Sequence, residues 1–298
     1  EMLHIDDAHR KDPDARLQLM RESAITILCL PDEAARDAVA LADGDVSIRF
    51  IDASTAHRID QNWVYGFPEL TTAQRGIIAT APRISNPGCY PTGFLALARP
   101  LIESGVLPAD CRLNVPAVSG YSGGGKSMIG AHDAGGLAPQ FSYGVNLAHK
   151  HLAEMTHYAG LQTPPIFMPS VGDFYAGMLV HLPLHADQFS TAVNADQLYQ
   201  LYADWYAGAA LVRMGAACAN DENTPNMLVA DALADTDSME IFVFSDAQAR
   251  RFWLVARLDN LGKGASGAAV QNMNIALGID EDISLAWTAA SCFWRRCR

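Results

Sequence analysis

AITILCLPDEAARDAVALADGDVSIRFID, residues 24 to 52, decides the fold. AITILCL, 24 to 30, is an apolar run of strand length closed by Pro31, and DEAARDAVALA behind it spaces Ala and Val at helical intervals. VSIRFID, 46 to 52, is a second strand ending in the polar turn ASTAHR. Strand, helix, strand in that order is a parallel α/β signature. Such sheets gather ligands at the carboxyl ends of their strands, so Pro31-Asp32 and Asp52 to Arg58 are candidate site edges.

Upstream, EMLHIDDAHRKDPDARLQLM offers one short strand-like piece and then a polar helix. Nothing before residue 24 has the form of the glycine-rich turn that opens a doubly wound domain, so the sequence looks beheaded. Downstream, TGFLALARPLIESG, 92 to 105, predicts a helix stopped by Gly105 and kinked or split at Pro100. RLNVPAVSG (112 to 120), PIFMPSV (165 to 171), GMLVHLPLH (177 to 185), MEIFVFS (239 to 245) and RFWLVARL (251 to 258) are strand-like, several of them alternating, as an antiparallel or mixed sheet requires. ADQLYQLYADWYAGA, 195 to 209, is an amphipathic helix among them. The expected architecture is α/β in two domains: a parallel-sheet domain over 1 to 90, rejoined by a helix at about 265 to 280, and an α+β domain with a mixed sheet over 91 to 264. The tail SLAWTAASCFWRRCR, 284 to 298, stays unassigned.

A chain of 298 residues with 50% hydrophobic content buries a large core. Its net charge of −12 argues against a nucleic-acid partner, which needs clustered Lys and Arg; RRCR at the end is the only basic cluster. No apolar run approaches a membrane span and no basic segment precedes a signal-like stretch. Cysteines 29, 89, 111, 218, 292 and 297 are scattered without C-x-x-C spacing, which fits a reducing cytoplasm and gives a zinc site little support. A cytoplasmic protein with neither nucleic-acid nor membrane partner is expected.

SNPGCYPTG, 85 to 93, crowds turn-forming residues around Cys89 just ahead of the helical run. A thiol at the mouth of a helix is stabilised as thiolate by the helix dipole and unpaired N–H groups, and Thr92 or Tyr90 is placed to cap. The competing reading is a free loop cysteine. Partner residues decide, and AHKHLAEM supplies them: on the first turn of a helix His151 and Glu154 share a face, so the carboxylate orients the imidazole, with His149 beside it. Cysteine with an oriented histidine is what covalent catalysis asks for. Two surface histidines are the plain alternative, and a metal reading lacks a fourth ligand at a natural spacing although His157 lies nearby.

GYSGGGKS, 120 to 127, matches the phosphate-loop pattern of a nucleotide hydrolase letter by letter. That loop must open a helix, and SMIGAHDAGGLAP makes a poor one. Arg58 is placed to clamp a phosphate or carboxylate, with Lys126 as helper; a solvated surface charge is the competing reading for both.

SNPGCYPTG, together with DASTAHR, WVYGFPEL, VSGYSGGGK, HKHLAEM, FYAGMLV and DNLGKGASGAAVQNMN in matching order, resembles the N-acetyl-gamma-glutamyl-phosphate reductase family, short bacterial type, from about residue 5 to 282. The family lies in the aspartate-semialdehyde and glyceraldehyde-3-phosphate dehydrogenase-like superfamily. The resemblance implies NADP-dependent reduction of an acyl phosphate to an aldehyde in arginine biosynthesis, a Rossmann-type domain beside a catalytic and oligomerisation domain, and a homodimer or homotetramer. It implies Cys89 as nucleophile and His151, His149 and Glu154 as the acid/base group. Arg58, Asn86, Ser119 and Lys126 are then substrate ligands, and Leu30, Pro31, Ser54, Thr55, Ser122, Gly123, Asn260 and Lys263 cofactor contacts, with no metal. It also makes the 120–127 glycines the family's own. The family's opening strand and glycine-rich turn are not matched here, so a fragment and a non-catalytic relative that lost the cofactor loop both stay open, and the 284 to 298 tail has no match.

Overall fold

The computed structural model describes residues 2–215 and 227–286. The chain runs α1 (Pro13–Glu22), β1 (Thr26–Leu28), α2 (Asp32–Ala40), β2 (Phe50–Asp52), β3 (Val64–Tyr65), α3 (Gln74–Thr80), β4 (Arg83–Ser85), α4 (Cys89–Glu103), β5 (Asn114–Gly120), α5 (Gly125–Asp133) and β6 (Gln140–Ser142). It continues through α6 (Leu152–Ala159), β7 (Ile166–Gly172), β8 (Met178–His185), α7 (Ala195–Trp205), β9 (Val212–Met214), β10 (Met239–Ser245), β11 (Arg251–Leu258) and α8 (Gly267–Leu277). Two compact units result: Glu1–Pro87 with Ala268–Ile283, and Gly88–Gly267 with the described residues from Ser284 on.

The first unit holds a parallel sheet ordered β1-β2-β4-β3, with β1, α2 and β2 forming the strand–helix–strand expected of residues 24 to 52. Its strands are shorter than the apolar runs. Ser47 donates from both its N–H and its hydroxyl to Asp45 Oδ1, at 2.9 and 2.6 Å, and this turn takes the first residues of VSIRFID out of β2. The strand-like piece read near the start is irregular, while the polar helix behind it is α1, with Asp12 as N-cap and Pro13 at its first position. Ala269, Ile275 and Ala276 of α8 share a core with Ile51, Ile78 and Ile84. Arg49 closes the adjoining edge by donating to the Ala276 carbonyl at 2.7 Å, one of the orphan acceptors of a helix C-terminus.

The second unit is built on a mixed sheet ordered β6-β7-β5-β8-β11-β10-β9, in which only β5–β7 and β9–β10 are parallel. Packed on it is α4, a helix apolar on all sides and buried from Tyr90 to Ala98. Gly93 lets it approach, since a Cβ there would lie 2.7 Å from Val180. The helix starts at Cys89 rather than at the expected 92, because Pro91 falls in the first turn, where no backbone donor is needed. Nor does Pro100 split it. The Ala96 carbonyl that Pro100 leaves without a donor accepts from the Tyr206 hydroxyl at 2.7 Å, and the next carbonyl, Leu97, accepts from Tyr202 of α7. Gly105, at φ +73°, follows the helix as its stop.

Residues 125–133 correct a second expectation: the glycine-rich stretch is helical, as α5. None of its residues is buried. What holds it is His132, whose ring stacks on Tyr121 at 3.7 Å and whose Nε2 meets Asp173 at 2.9 Å. No helix among the described residues is long and apolar enough to cross a membrane. Of the tail, residues 287–298 lie outside the described ones.

Candidate active site

Cys89 is the first residue of α4, with Gly88 as N-cap and its thiol half-buried. No side chain caps this helix: Thr92 Oγ1 donates back to the Gly88 carbonyl at 2.9 Å, and Tyr90 donates to the Ser170 carbonyl at 3.0 Å, so neither serves as the cap expected of it. The open N-terminus favours negative charge at Cys89. His151 is the N-cap of α6 and Glu154 its third residue, which brings them together as the i, i+3 spacing demands. Glu154 Oε1 meets His151 Nδ1 at 2.7 Å, and Oε2 accepts from the Gly88 N–H at 3.2 Å. One carboxylate, 2% exposed, thus joins the imidazole to the residue preceding the cysteine. Because an ionised carboxylate only accepts, His151 carries a proton on Nδ1 and its basic lone pair on Nε2.

His149 lies beside His151, ring centroids 4.8 Å apart, and its Nδ1 accepts the His151 backbone N–H at 3.2 Å. Burial first, then the neighbouring His151 and Lys150, push its pKa down to about 4, against a smaller opposing pull from Glu154. Two tyrosines complete the wall. The Tyr143 and Tyr90 side chains are hydrogen-bonded to each other, and the Tyr90 hydroxyl also bonds the Ser170 carbonyl. Burial pushes the Tyr143 phenol up to about 12 and raises that of Tyr90 further still, which leaves both neutral. Both lie within electrostatic reach of Cys89. Tyr143 escaped the sequence reading because a lone tyrosine in FSYGVN carries no pattern.

Behind these groups, Asn260 ties two loops: its Nδ2 donates to Ser122 Oγ at 2.9 Å and its Oδ1 accepts the Gly177 N–H at 2.9 Å. Ser119 is buried and Gly123 is exposed in the 3-10 turn Tyr121–Gly124 that precedes α5, where a Cβ would come within 3.0 Å of the Ser119 hydroxyl. Lys263 is wholly buried, and Gly264 after it packs so closely that a Cβ would lie 2.9 Å from that of Cys89. These facts weigh on the phosphate-loop reading. A helix does follow GYSGGGKS, but a phosphate loop needs its backbone N–H groups open to the ligand, and here those of Gly120, Tyr121 and Ser122 donate to the carbonyls of Gly177, Phe174 and Tyr175. Lys126 is exposed on α5 and makes no hydrogen bond or ion pair among the described residues.

In the first unit, the ends of β1 and β2 carry the other candidates. Asp52, fully buried, accepts from the Ser54 N–H and hydroxyl and meets His57 Nδ1 at 2.6 Å, and the His57 ring stacks on Trp63 at 4.2 Å. Thr55 donates its N–H and hydroxyl to Asp32, at the first turn of α2, while Leu30 and Pro31 just before it are exposed. Arg58 is buried, donating Nε to the Asn86 carbonyl at 3.0 Å and Nη2 to the Ala53 carbonyl at 3.1 Å. Asn86 is equally enclosed: Asn272 of α8 donates to its Oδ1 at 3.2 Å and to the Gly66 carbonyl at 2.8 Å. His57 and Asn272 were missed, although both lie in quoted stretches, DASTAHR and AAVQNMN.

Residues 89–260 match the family model described as semialdehyde dehydrogenase, dimerisation domain. The chain is 46% identical to an N-acetyl-gamma-glutamyl-phosphate reductase of Trichormus variabilis, over 96% of the chain and 91% of the relative. Against a protein of the same name from Brucella anthropi it is also 46% identical, over 93% and 90%. Its fold is that of aspartate semialdehyde dehydrogenase II from Vibrio cholerae, TM-score 0.67 at 16% identity over 87% of this chain and 81% of that one. An aspartate semialdehyde dehydrogenase with NADP from Candida albicans superposes at TM-score 0.59 and 13% identity, over 85% and 77%.

Proposed function

The chain belongs to the N-acetyl-gamma-glutamyl-phosphate reductase family, and from that premise we propose that it reduces N-acetyl-glutamyl 5-phosphate to the 5-semialdehyde in arginine biosynthesis, releasing phosphate, with NADPH as reductant. The observation that carries this reading is the Glu154 carboxylate bonded at once to His151 and to the N-cap of the helix that begins with Cys89. These bonds support a reading with Cys89 as nucleophile, His151 as base and Glu154 as the carboxylate that orients it.

His151 takes the thiol proton on Nε2, and the Cys89 thiolate attacks the acyl carbon. As the C–S bond forms the carbon–oxygen bond to phosphate breaks, and a thioester remains on Cys89. NADPH, when bound, supplies the hydride. The protonated His151 holds the thiohemiacetal oxyanion by a hydrogen bond and keeps its proton, and collapse of that oxyanion restores the C=O bond, breaks C–S and returns a thiolate beside the imidazolium. Help of this kind is worth about a hundred- to ten-thousandfold in rate.

Arg58, Asn86, Ser119 and Lys126 are the proposed substrate ligands, Arg58 and Lys126 for the phosphate. Leu30, Pro31, Ser54 and Thr55 at the strand ends, with Ser122, Gly123, Asn260 and Lys263, are proposed to hold the cofactor. What supports this is the bare backbone at Gly123, where a side chain would crowd Ser119, and the exposed Leu30 and Pro31. Ser122, Asn260 and Lys263 are buried within the second unit. A homodimer or homotetramer is the proposed assembly, on the description of the matched family model.

The test is phosphate-dependent reduction of NADP⁺ with N-acetyl-glutamate semialdehyde. The wild-type chain turns over and Cys89→Ser does not. A Cys89→Ser protein of equal activity refutes the assignment, and an inactive wild type that binds no NADPH supports the non-catalytic relative instead.

A further inference from the structure

His149 is built differently from His151. Its Nδ1 lone pair is occupied by the His151 N–H, so its proton sits on Nε2. The ring is held edge-on by Phe167 at 5.1 Å and 84° and by Tyr143 at 5.6 Å and 60°. Among the described residues no protein acceptor meets Nε2–H, and the residue is part-exposed. The charged or titratable groups acting on it are His151, Lys150 and Glu154; Tyr143 stays neutral and Phe167 is apolar. With a pKa of about 4 the ring keeps a fixed tautomer through the neutral range. It can offer a hydrogen bond there, but not a proton.

We propose that His149 is a specificity-determining residue of the reductase site, whose Nε2–H donates a hydrogen bond to an oxygen of the bound substrate while His151 alone moves protons. The proposal rests on the reductase reading above and gives its two histidines different roles. His149 makes one contact equally in ground and transition state, which governs KM, and His151 acts on the chemistry.

The experiment is steady-state kinetics of the full chain with N-acetyl-glutamate semialdehyde, phosphate and NADP⁺, comparing wild type, His149→Gln and His149→Asn between pH 5.5 and 8.5. A glutamine amide reaches the Nε2 position; an asparagine amide stops at Nδ1. His149→Asn raises KM for the semialdehyde about tenfold or more, the value of one hydrogen bond to a polar or charged oxygen. Its kcat stays within about threefold of wild type, and His149→Gln restores KM to within about threefold. KM for NADP⁺ does not move, and the shape of the kcat/KM pH profile is the same in all three. Equal KM rises in both variants, or no rise in either, overturn the donor role. Loss of a limb of the pH profile in His149→Gln also overturns it, by making His149 an acid or base. Cys89→Ser, run alongside, separates this outcome from failure of the reductase reading itself, which an inactive wild type or an active Cys89→Ser would show.

Discussion

Glu154 meets two donors: the Gly88 N–H on one oxygen and the His151 Nδ1–H on the other. A carboxylate accepts both, whereas a carboxamide of the same shape has one oxygen and must point its NH₂ at a donor. Glu154→Gln therefore breaks one of the two bonds without changing the volume. If the histidine bond goes, the imidazole loses its tautomer; if the glycine bond goes, a buried N–H beside Cys89 is orphaned. Either way kcat for the semialdehyde should fall by about tenfold to a hundredfold, part of what acid/base help is worth. KM should change little. Loss of the negative partner also weakens proton binding at His151, so the acid limb of the rate profile moves to lower pH. Steady-state kinetics across pH checks both, and an unchanged kcat would remove Glu154 from the machinery.

At the scale of the element, α4 shows why a local reading fails. A proline in a helix interior deletes a donor and crowds the carbonyl four residues back, so Pro100 predicts a break, and the isolated segment would honour that. The carbonyl is instead met by a hydroxyl from the C-cap of α7, a partner whose arrival no window around residue 100 can reveal. Tyr206 is 5% exposed, so removing its hydroxyl leaves the Ala96 carbonyl buried and without that donor. Tyr206→Phe should lower unfolding stability by about 1–3 kcal/mol, the cost of an unsatisfied buried acceptor, with the ring's packing kept. Urea melts measure it. The same loss in a Pro100→Ala background tests the cause: alanine restores the backbone donor, so the effect of Tyr206→Phe should shrink there. An undiminished effect would mean that the hydroxyl serves something other than the orphan carbonyl.

Across the whole molecule, what was legible in the sequence were elements that state their own period: the strands 114–120, 178–185, 239–245 and 251–258 each lie within a run read from alternation or apolarity, and 166–172 overruns its run, 165 to 171, by one residue. Cys89, His151 and Glu154 were legible because a corner residue and an i, i+3 pair are local facts, while Tyr143 and Asn272 work through partners distant in sequence. Titration too is a property of the fold that no sequence window carries. His181 of β8 accepts the Trp253 Nε1–H at 3.1 Å, and burial pushes its pKa down to about 4, as it does for His149. A histidine ordinarily near 6.5 but held near 4 in the fold binds more protons when unfolded between those values, so stability is lost as pH falls through that window. The net charge of −12 at neutral pH works the other way, since acidification relieves self-repulsion. The bare pH dependence therefore mixes the two, and a difference between variants separates them. His181→Asn keeps an acceptor for Trp253 and removes the titration without altering the charge at pH 7. In urea unfolding at pH 4.5, 5.5 and 7, wild type should lose stability relative to His181→Asn as pH falls, with the gap opening below about pH 6.5 and nearly constant above it. Parallel curves for the two proteins across that range would mean that the His181 ring accepts a proton in the folded sheet as readily as in water.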